Sequence, residues 1–157
     1  MIADRNNPPP IDIRFESDDR DYLLIEVLGF EIVKPTNYHD ANWIRTRISA
    51  KAGVFRVKPF AASLFLGGFT TFTSELRSIY EKLHGTASLN TLDPWVQITA
   101  TSDMLGHITM ACIISDNFIT DRSLKFDLTM DQTMLRSPLD QLDILILSYY
   151  TDLTHWE

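Results

Sequence analysis

Apolar and polar residues alternate along several stretches of this chain, and that period of two is typical of half-buried β-strands. The first half of the chain shows the pattern at residues 11–16, 22–33, 43–50 and 54–58, with a short apolar run at 61–66. The second half shows it at residues 86–92, 96–101, 107–115 and 124–130. Gly29 interrupts the second stretch and predicts a β-bulge or a bend, whereas Pro59 is expected to limit the hydrogen bonding of the fourth stretch.

A helical pattern separates the two groups of strands. Leu76, Ile79, Tyr80 and Leu83 fall at positions i, i+3, i+4 and i+7, which places them on one face of a helix. The pattern predicts a helix over about residues 72–84. Its N-cap would be Thr71 or Thr73, and Gly85 would follow its C-terminus.

A second helix is predicted at about residues 138–150. Ser137 is a suitable N-cap, and Pro138 is favoured at the first helical position. The body of this segment is apolar nearly all round, so a strand over 143–150 remains an alternative. A helix of this composition either packs between layers or exposes a face to a partner.

The order of these elements predicts an α+β fold. Successive strands linked by short turns favour a mainly antiparallel sheet of about seven to nine strands, with the two helices packed on it. The 157 residues suit one domain. We expect residues 1–10, which include Pro8-Pro9-Pro10, to form a flexible lead-in and residues 11–157 to form the domain.

The net charge of the chain indicates which kinds of molecule it can bind. Its formal net charge is −7, from 14 basic and 21 acidic residues. Nucleic-acid phosphates need a cationic surface, so we expect no direct nucleic-acid binding, whereas a cationic protein would be attracted. An acidic surface that only maintains solubility is the alternative. We see no secretory signal or apolar run of about 20 residues, so we expect a cytoplasmic protein without membrane contact.

Residues that carry catalysis are not grouped in the sequence. The chain has no phosphate-binding glycine loop, nucleophile elbow or zinc-binding helix, so we expect no enzyme, cofactor or metal. Cys112 lies in an apolar stretch and predicts a buried, inert thiol. A hydrolase assembled from scattered histidines and aspartates remains the catalytic alternative.

One acidic cluster is a candidate binding site. Glu16, Asp18, Asp19 and Asp21 surround the predicted turn between the first two strands. We interpret them as a patch that faces a cationic partner. The alternatives are solvated turn residues, a divalent-cation site and an acid/base pair.

Four short motifs in a fixed order resemble one bacterial family. They are Asp40-Ala41-Asn42-Trp43-Ile44, the helix from Ser74 to Ala87, Gly106-His107-Ile108-Thr109, and the segment from Phe126 to Thr133. Together they resemble the WapI-type immunity proteins of contact-dependent and polymorphic toxin systems, over roughly residues 22–147.

The resemblance implies a small, cytoplasmic, non-enzymatic protein that binds one cognate toxin domain, often a nuclease, and blocks it. It assigns no binding residues.

We expect its shared motif residues to be structural: Asp40, Asn42, Trp43, Gly106, His107, Asp131, Gln132 and Thr133. Asp40 and Asn42 would shape a turn, and Trp43 would close the core. Arg45 and Arg47 would neutralise nearby carboxylates. The alternative function is a non-catalytic interaction or structural module that forms a homodimer through the second helix.

Overall fold

The computed structural model describes residues 4–117 and 119–156, which form two antiparallel β-sheets and three α-helices. The first sheet contains β1 (Ile11–Glu16), β2 (Tyr22–Phe30), β3 (Trp43–Ala52) and β4 (Phe55–Phe65), in that order. The second contains β5 (Thr86–Asn90), β6 (Val96–Ser102), β7 (His107–Asn117) and β8 (Arg122–Asp131), also in order. The helices are α1 (Tyr38–Ala41), α2 (Phe69–Lys82) and α3 (Arg136–Tyr149).

This architecture confirms the predicted α+β class, with its antiparallel strands and two long helices. The alternation of residues does not say which strands pair, so it did not divide the strands into two sheets. The division arises because α2 follows β4 and begins a second series of hairpins.

Two bulges bend the first sheet. In β2 the register shifts between Val27 and Gly29, which confirms the bulge predicted at Gly29. In β4 the residues at positions 58 and 59 lie between the pairs Ile48–Phe60 and Ala50–Val57, opposite a single β3 residue. Pro59 therefore sits in a bulge, where a missing N–H is tolerated, and β4 continues through it.

The N-terminus of α2 differs from its prediction. The helix begins at Phe69, and Gly68 occupies the N-cap without a side-chain hydrogen bond, so the prediction of Thr71 or Thr73 was wrong. A 3-10 turn over Leu66–Gly68 leads directly into the helix and replaces the side-chain cap. At the other end, Leu83 adopts the left-handed conformation, with φ of 59°.

The second long helix confirms the helical interpretation, and the alternative strand over 143–150 was wrong. Ser137 does not cap it, because a 3-10 turn over Gln132–Leu135 continues into α3. Asp131 caps that turn instead, its carboxylate accepting a hydrogen bond of 2.9 Å from the amide of Thr133.

The two sheets and both long helices share one apolar core. α3 packs against β1 and α2, and α2 packs against β5. At one corner the sheets are hydrogen-bonded to each other: the hydroxyl of Ser17 donates to the Thr129 carbonyl at 2.8 Å and accepts from the Thr129 amide at 3.1 Å. Strand β8 therefore passes close to the end of β1.

Part of the N-terminal segment lies against this domain. The guanidinium of Arg5 donates to the carbonyl of Ile32 at 2.6 Å and lies 3.7 Å from the centre of the Phe30 ring. The hydroxyl of Tyr149 donates to the carbonyl of Pro9 at 2.7 Å. These contacts argue against a fully independent lead-in, although its flexibility and the extent of the single domain stay predictions. Residues 1–3 lie outside the described part of the chain.

Candidate functional site

The turn between β1 and β2 carries the acidic cluster predicted from the sequence, but its four carboxylates have different surroundings. Asp21 accepts a hydrogen bond of 3.1 Å from the amide of Gly53, and Lys51 lies 3.5 Å away. Asp21 therefore attaches the turn to the β3–β4 hairpin. Glu16 lies 3.6 Å from the side chain of Arg14.

Asp18 and Asp19 are the exposed members of the cluster. The carboxylate of Asp19 accepts a hydrogen bond from the amide of Asp21, and this bond is the main reason that its pKa is lowered. Asp19 therefore carries a negative charge at neutral pH. The backbone amide of Asp18 donates to the carbonyl of Thr129, so the turn is fixed against β8.

Folding brings two further aspartates towards Asp18. We define the acidic corner as Asp18, Asp19, Asp103 and Asp131, with His107 among them. Asp103 accepts a hydrogen bond of 2.7 Å from Nδ1 of His107. That hydrogen bond chiefly raises the pKa of His107, and the charges of Asp103, Asp131 and Asp18 raise it further.

Asp103 was not among the predicted site residues. A sequence signal for it does exist, because Asp103 stands four residues before His107 within the Ser102–Gly106 loop, where both side chains can meet across the turn. Its carboxylate accepts hydrogen bonds from the amides of Leu105 and His107, at 2.7 and 3.1 Å. The bond from Leu105 contributes most to the lowered pKa of Asp103.

Asn42 is a fully buried residue of the first family motif. Its side-chain amide donates to the carbonyls of Tyr38 and Thr151, at 2.9 and 2.7 Å. Its side-chain oxygen accepts from the amide of Thr151 at 2.9 Å. Asn42 therefore joins the start of β3 to the segment that follows α3.

The other residues of this motif shape the same region. The amide of Asp40 donates to the side chain of Asn37, the N-cap of α1, at 2.9 Å. The Trp43 ring is half-buried and lies 5.4 Å from the ring of Phe65, its partner across β3 and β4.

The third and fourth motifs meet in space. His107 pairs with Asp131 across β7 and β8, and the amide of Gln132 donates to the carbonyl of Gly106 at 2.8 Å. The side-chain amide of Gln132 also donates to the carbonyl of Tyr80 in α2. These contacts join the second sheet to α2 and support a structural role for the motif residues, which stays a prediction.

The two arginines that were predicted to neutralise nearby carboxylates differ in their contacts. Arg47 pairs with Glu26 at 3.2 Å, as predicted, whereas Arg45 forms no ion pair within the described residues.

Cys112 is buried, which confirms the predicted burial, and this burial raises the pKa of its thiol to about 12. Within residues 4–117 and 119–156, no group of three or more histidine, cysteine or acidic side chains could hold a metal ion.

Comparison with known protein families assigns the chain to one of them. The model of the immunity protein WapI-like family matches residues 14–149. The chain belongs to the immunity protein WapI-like family. Among curated proteins, none matches the chain.

Membership in the immunity family gives the four motifs a common context, because the matched range contains all of them. It also contains the whole acidic corner. No helix in the described part of the chain is long and apolar enough to cross a membrane.

Proposed function

We propose that this WapI-like immunity protein acts in the cytoplasm, where it binds one cognate toxin domain, a nuclease, and blocks it by occlusion without catalysis. The observation that carries the proposal is the family match over residues 14–149. The acidic corner supplies the chemistry, because nucleases need cationic surface to hold phosphates and clustered carboxylates compete for that surface.

The exposed carboxylates of the β1–β2 turn are the proposed contact residues. Asp18 and Asp19 are exposed to solvent. Glu16 is partly exposed, and it pairs with Arg14. Asp21 supports this surface through Gly53 and Lys51 rather than by facing solvent. The net charge of −7 adds a long-range attraction for a cationic partner.

The proposed function is tested by whether this chain protects cells from the toxin domain. If a gene next to that of this chain encodes a toxin domain, cells that express this domain should survive when the chain is co-expressed. The purified proteins should then form a complex that lacks nuclease activity. Survival without the chain, or death in its presence, would overturn the proposed function.

The test of the contact residues is the association rate. Changing Asp18→Lys and Asp19→Lys should slow association about tenfold or more at low salt and flatten its salt dependence, because charge steering sets such rates. The control is Asp12→Lys with Asp140→Lys, two exposed residues outside the turn with the same charge change. Equal rates for both double variants would remove the turn from the interface.

The homodimer through α3 stays a prediction. The apolar side chains of Ile144 and Leu147 in that helix are 41% and 71% exposed to solvent. Leu142 and Leu145 are buried in the core. A concentration-dependent mass in light scattering, abolished by Leu147→Glu, would support the dimer.

A further inference from the structure

A groove opens between the start of β4 and the β7–β8 hairpin, at the end of β8 away from the acidic corner. Its volume is about 380 Å³, within the range of binding clefts. It is lined by residues 56–60, Ile114, Asp116 and residues 122–124.

The floor of the groove is apolar. Val57, Phe60 and Leu124 are half-buried, and Ile114 is buried. Val57 and Phe60 pack against the core of the protein, and the Phe60 ring lies 6.1 Å from the Trp95 ring. The floor is therefore a fixed surface that an apolar side chain can cover.

The rim of the groove carries two cations that have no carboxylate partner among the described residues. Arg56 and Lys58 are exposed, and neither forms an ion pair with any described residue. By contrast, the third cation of the groove, Arg122, binds Asp116 through two hydrogen bonds of 2.8 and 2.9 Å. Two unpaired cations beside an apolar floor are complementary to a ligand with apolar and anionic groups.

The surface next to the groove favours a polypeptide over a small ion. Val54 and Phe55, at the β3–β4 turn, are 91% and 62% exposed. They continue the apolar surface beyond the cleft, and an exposed aromatic beside a cleft is typical of protein contacts.

The edge of β4 itself is poorly suited to accept an added strand. Pro59 has no N–H, it lies in a bulge, and Lys58 precedes it. Bulges, prolines and lysines are the features that keep exposed sheet edges from pairing with other strands. Recognition at this groove therefore depends on side chains.

We propose that this groove binds a segment of the cognate toxin domain in which an apolar side chain is flanked by carboxylates. The inference rests on the proposed function and adds to it a second contact of opposite charge. The groove and the acidic corner lie at the two ends of β8, roughly 30 Å apart at about 3.3 Å per residue. Contacts of opposite sign at that separation would fix the orientation of the toxin domain and exclude partners with the reverse pattern.

The test uses as its probe the toxin domain against which the chain protects cells. Changing Arg56→Glu and Lys58→Glu should raise the Kd about tenfold or more, measured by calorimetry at fixed salt. The matched control is Lys34→Glu with Lys125→Glu, which changes the net charge equally; Lys125 follows Leu124 on β8 and points to the opposite face. The control should stay within about threefold of the unmodified protein.

A second variant tests the apolar contact without altering charge. Phe55→Ala should raise the Kd about fivefold or more while leaving the urea midpoint unchanged, because the Phe55 ring is largely exposed.

The outcomes separate this inference from the proposed function. If the unmodified chain fails to bind the toxin domain, the proposed function falls. If the unmodified chain binds and both groove variants bind equally well, the groove is excluded and the function stands. A dimer of the chain alone that Arg56→Glu with Lys58→Glu dissociates would make a second copy the occupant and overturn the inference.

Discussion

Asn42 combines complete burial with three side-chain hydrogen bonds, so its contribution to stability can be predicted. Changing Asn42→Ala leaves the amide of Thr151 and two carbonyls without these partners. A buried unsatisfied group costs about 1–3 kcal/mol, so we expect the free energy of unfolding to fall by about 3 kcal/mol. Urea denaturation measures it.

The control for Asn42 is Asn37→Ala, which removes the exposed N-cap of α1 and should cost about 1 kcal/mol. An Asn42→Ala variant as stable as the control would show that the loop rearranges or that water replaces the amide. The sequence indicated a turn at Asn42, but the partner Thr151, 109 residues away, depended on the fold.

His107 lies in the acidic corner, where the hydrogen bond to Asp103 raises its pKa. Changing Asp103→Asn should lower the pKa of His107 towards its ordinary value, because the hydrogen bond from Asp103 is the main cause of its rise. A histidine with a raised pKa stabilises the folded state when protonated. Its contribution is complete below the unfolded pKa and is lost as pH rises through the folded pKa.

NMR titration of the His107 ring measures this shift directly. His84→Gln is the control, since it should leave the titration of His107 unchanged. A titration unaffected by Asp103→Asn would assign the raised pKa to Asp131 and Asp18, which also face His107.

At the scale of elements, the strands and the two long helices could be predicted from residue periodicity. The ends of these elements and the one-turn helix α1, where the sequence indicated only a turn, could not. The N-termini of α2 and α3 are both extended by 3-10 turns, at Leu66–Gly68 and Gln132–Leu135. A sequence offers Thr71, Thr73 and Ser137 as caps with equal merit, because each can bond a free amide. The preceding strand decides where the chain turns, and it turns earlier in both cases.

The bulge in β2 gives a test at this scale. Gly29 has φ of 151°, and a Cβ there would lie 3.0 Å from Nη2 of Arg45. Gly29→Ala should lower the free energy of unfolding by about 1–3 kcal/mol, since this backbone conformation is unfavourable for residues with a side chain. The measurement is urea denaturation.

The matched control is Gly68→Ala, whose φ of −84° is accessible to alanine. It should change stability by no more than about 0.5 kcal/mol. If Gly29→Ala were equally harmless, β2 would be able to lose its bulge, and new pairing with β3 would show as altered amide exchange.

At the scale of the molecule, the junction between β1 and β8 connects the two sheets. Ser17 is buried, and its hydroxyl both donates to and accepts from the backbone of Thr129, 112 residues along the chain. Ser17→Ala should lower the free energy of unfolding by about 1–2 kcal/mol, because both groups of Thr129 lose a partner.

Hydrogen exchange at the Thr129 amide should accelerate in the same variant. Ser123→Ala, an exposed change near the other end of β8, should leave that exchange and the stability unchanged. Unaltered exchange at Thr129 in Ser17→Ala would mean that the backbone contact of Asp18 alone holds the sheets together.

The sequence by itself determined the strands and the two long helices, the antiparallel class, the buried Cys112 and the motifs of the immunity family. Each of these rests on short local patterns, where periodicity and turn chemistry act, and on the order of those patterns along the chain. Only the tertiary structure divided the strands into two sheets, brought Asp103 and Asp131 towards Asp18, and opened the groove at Arg56 and Lys58. Those results depend on contacts between distant segments, whose pairing is set by packing of the shared core rather than by local pattern.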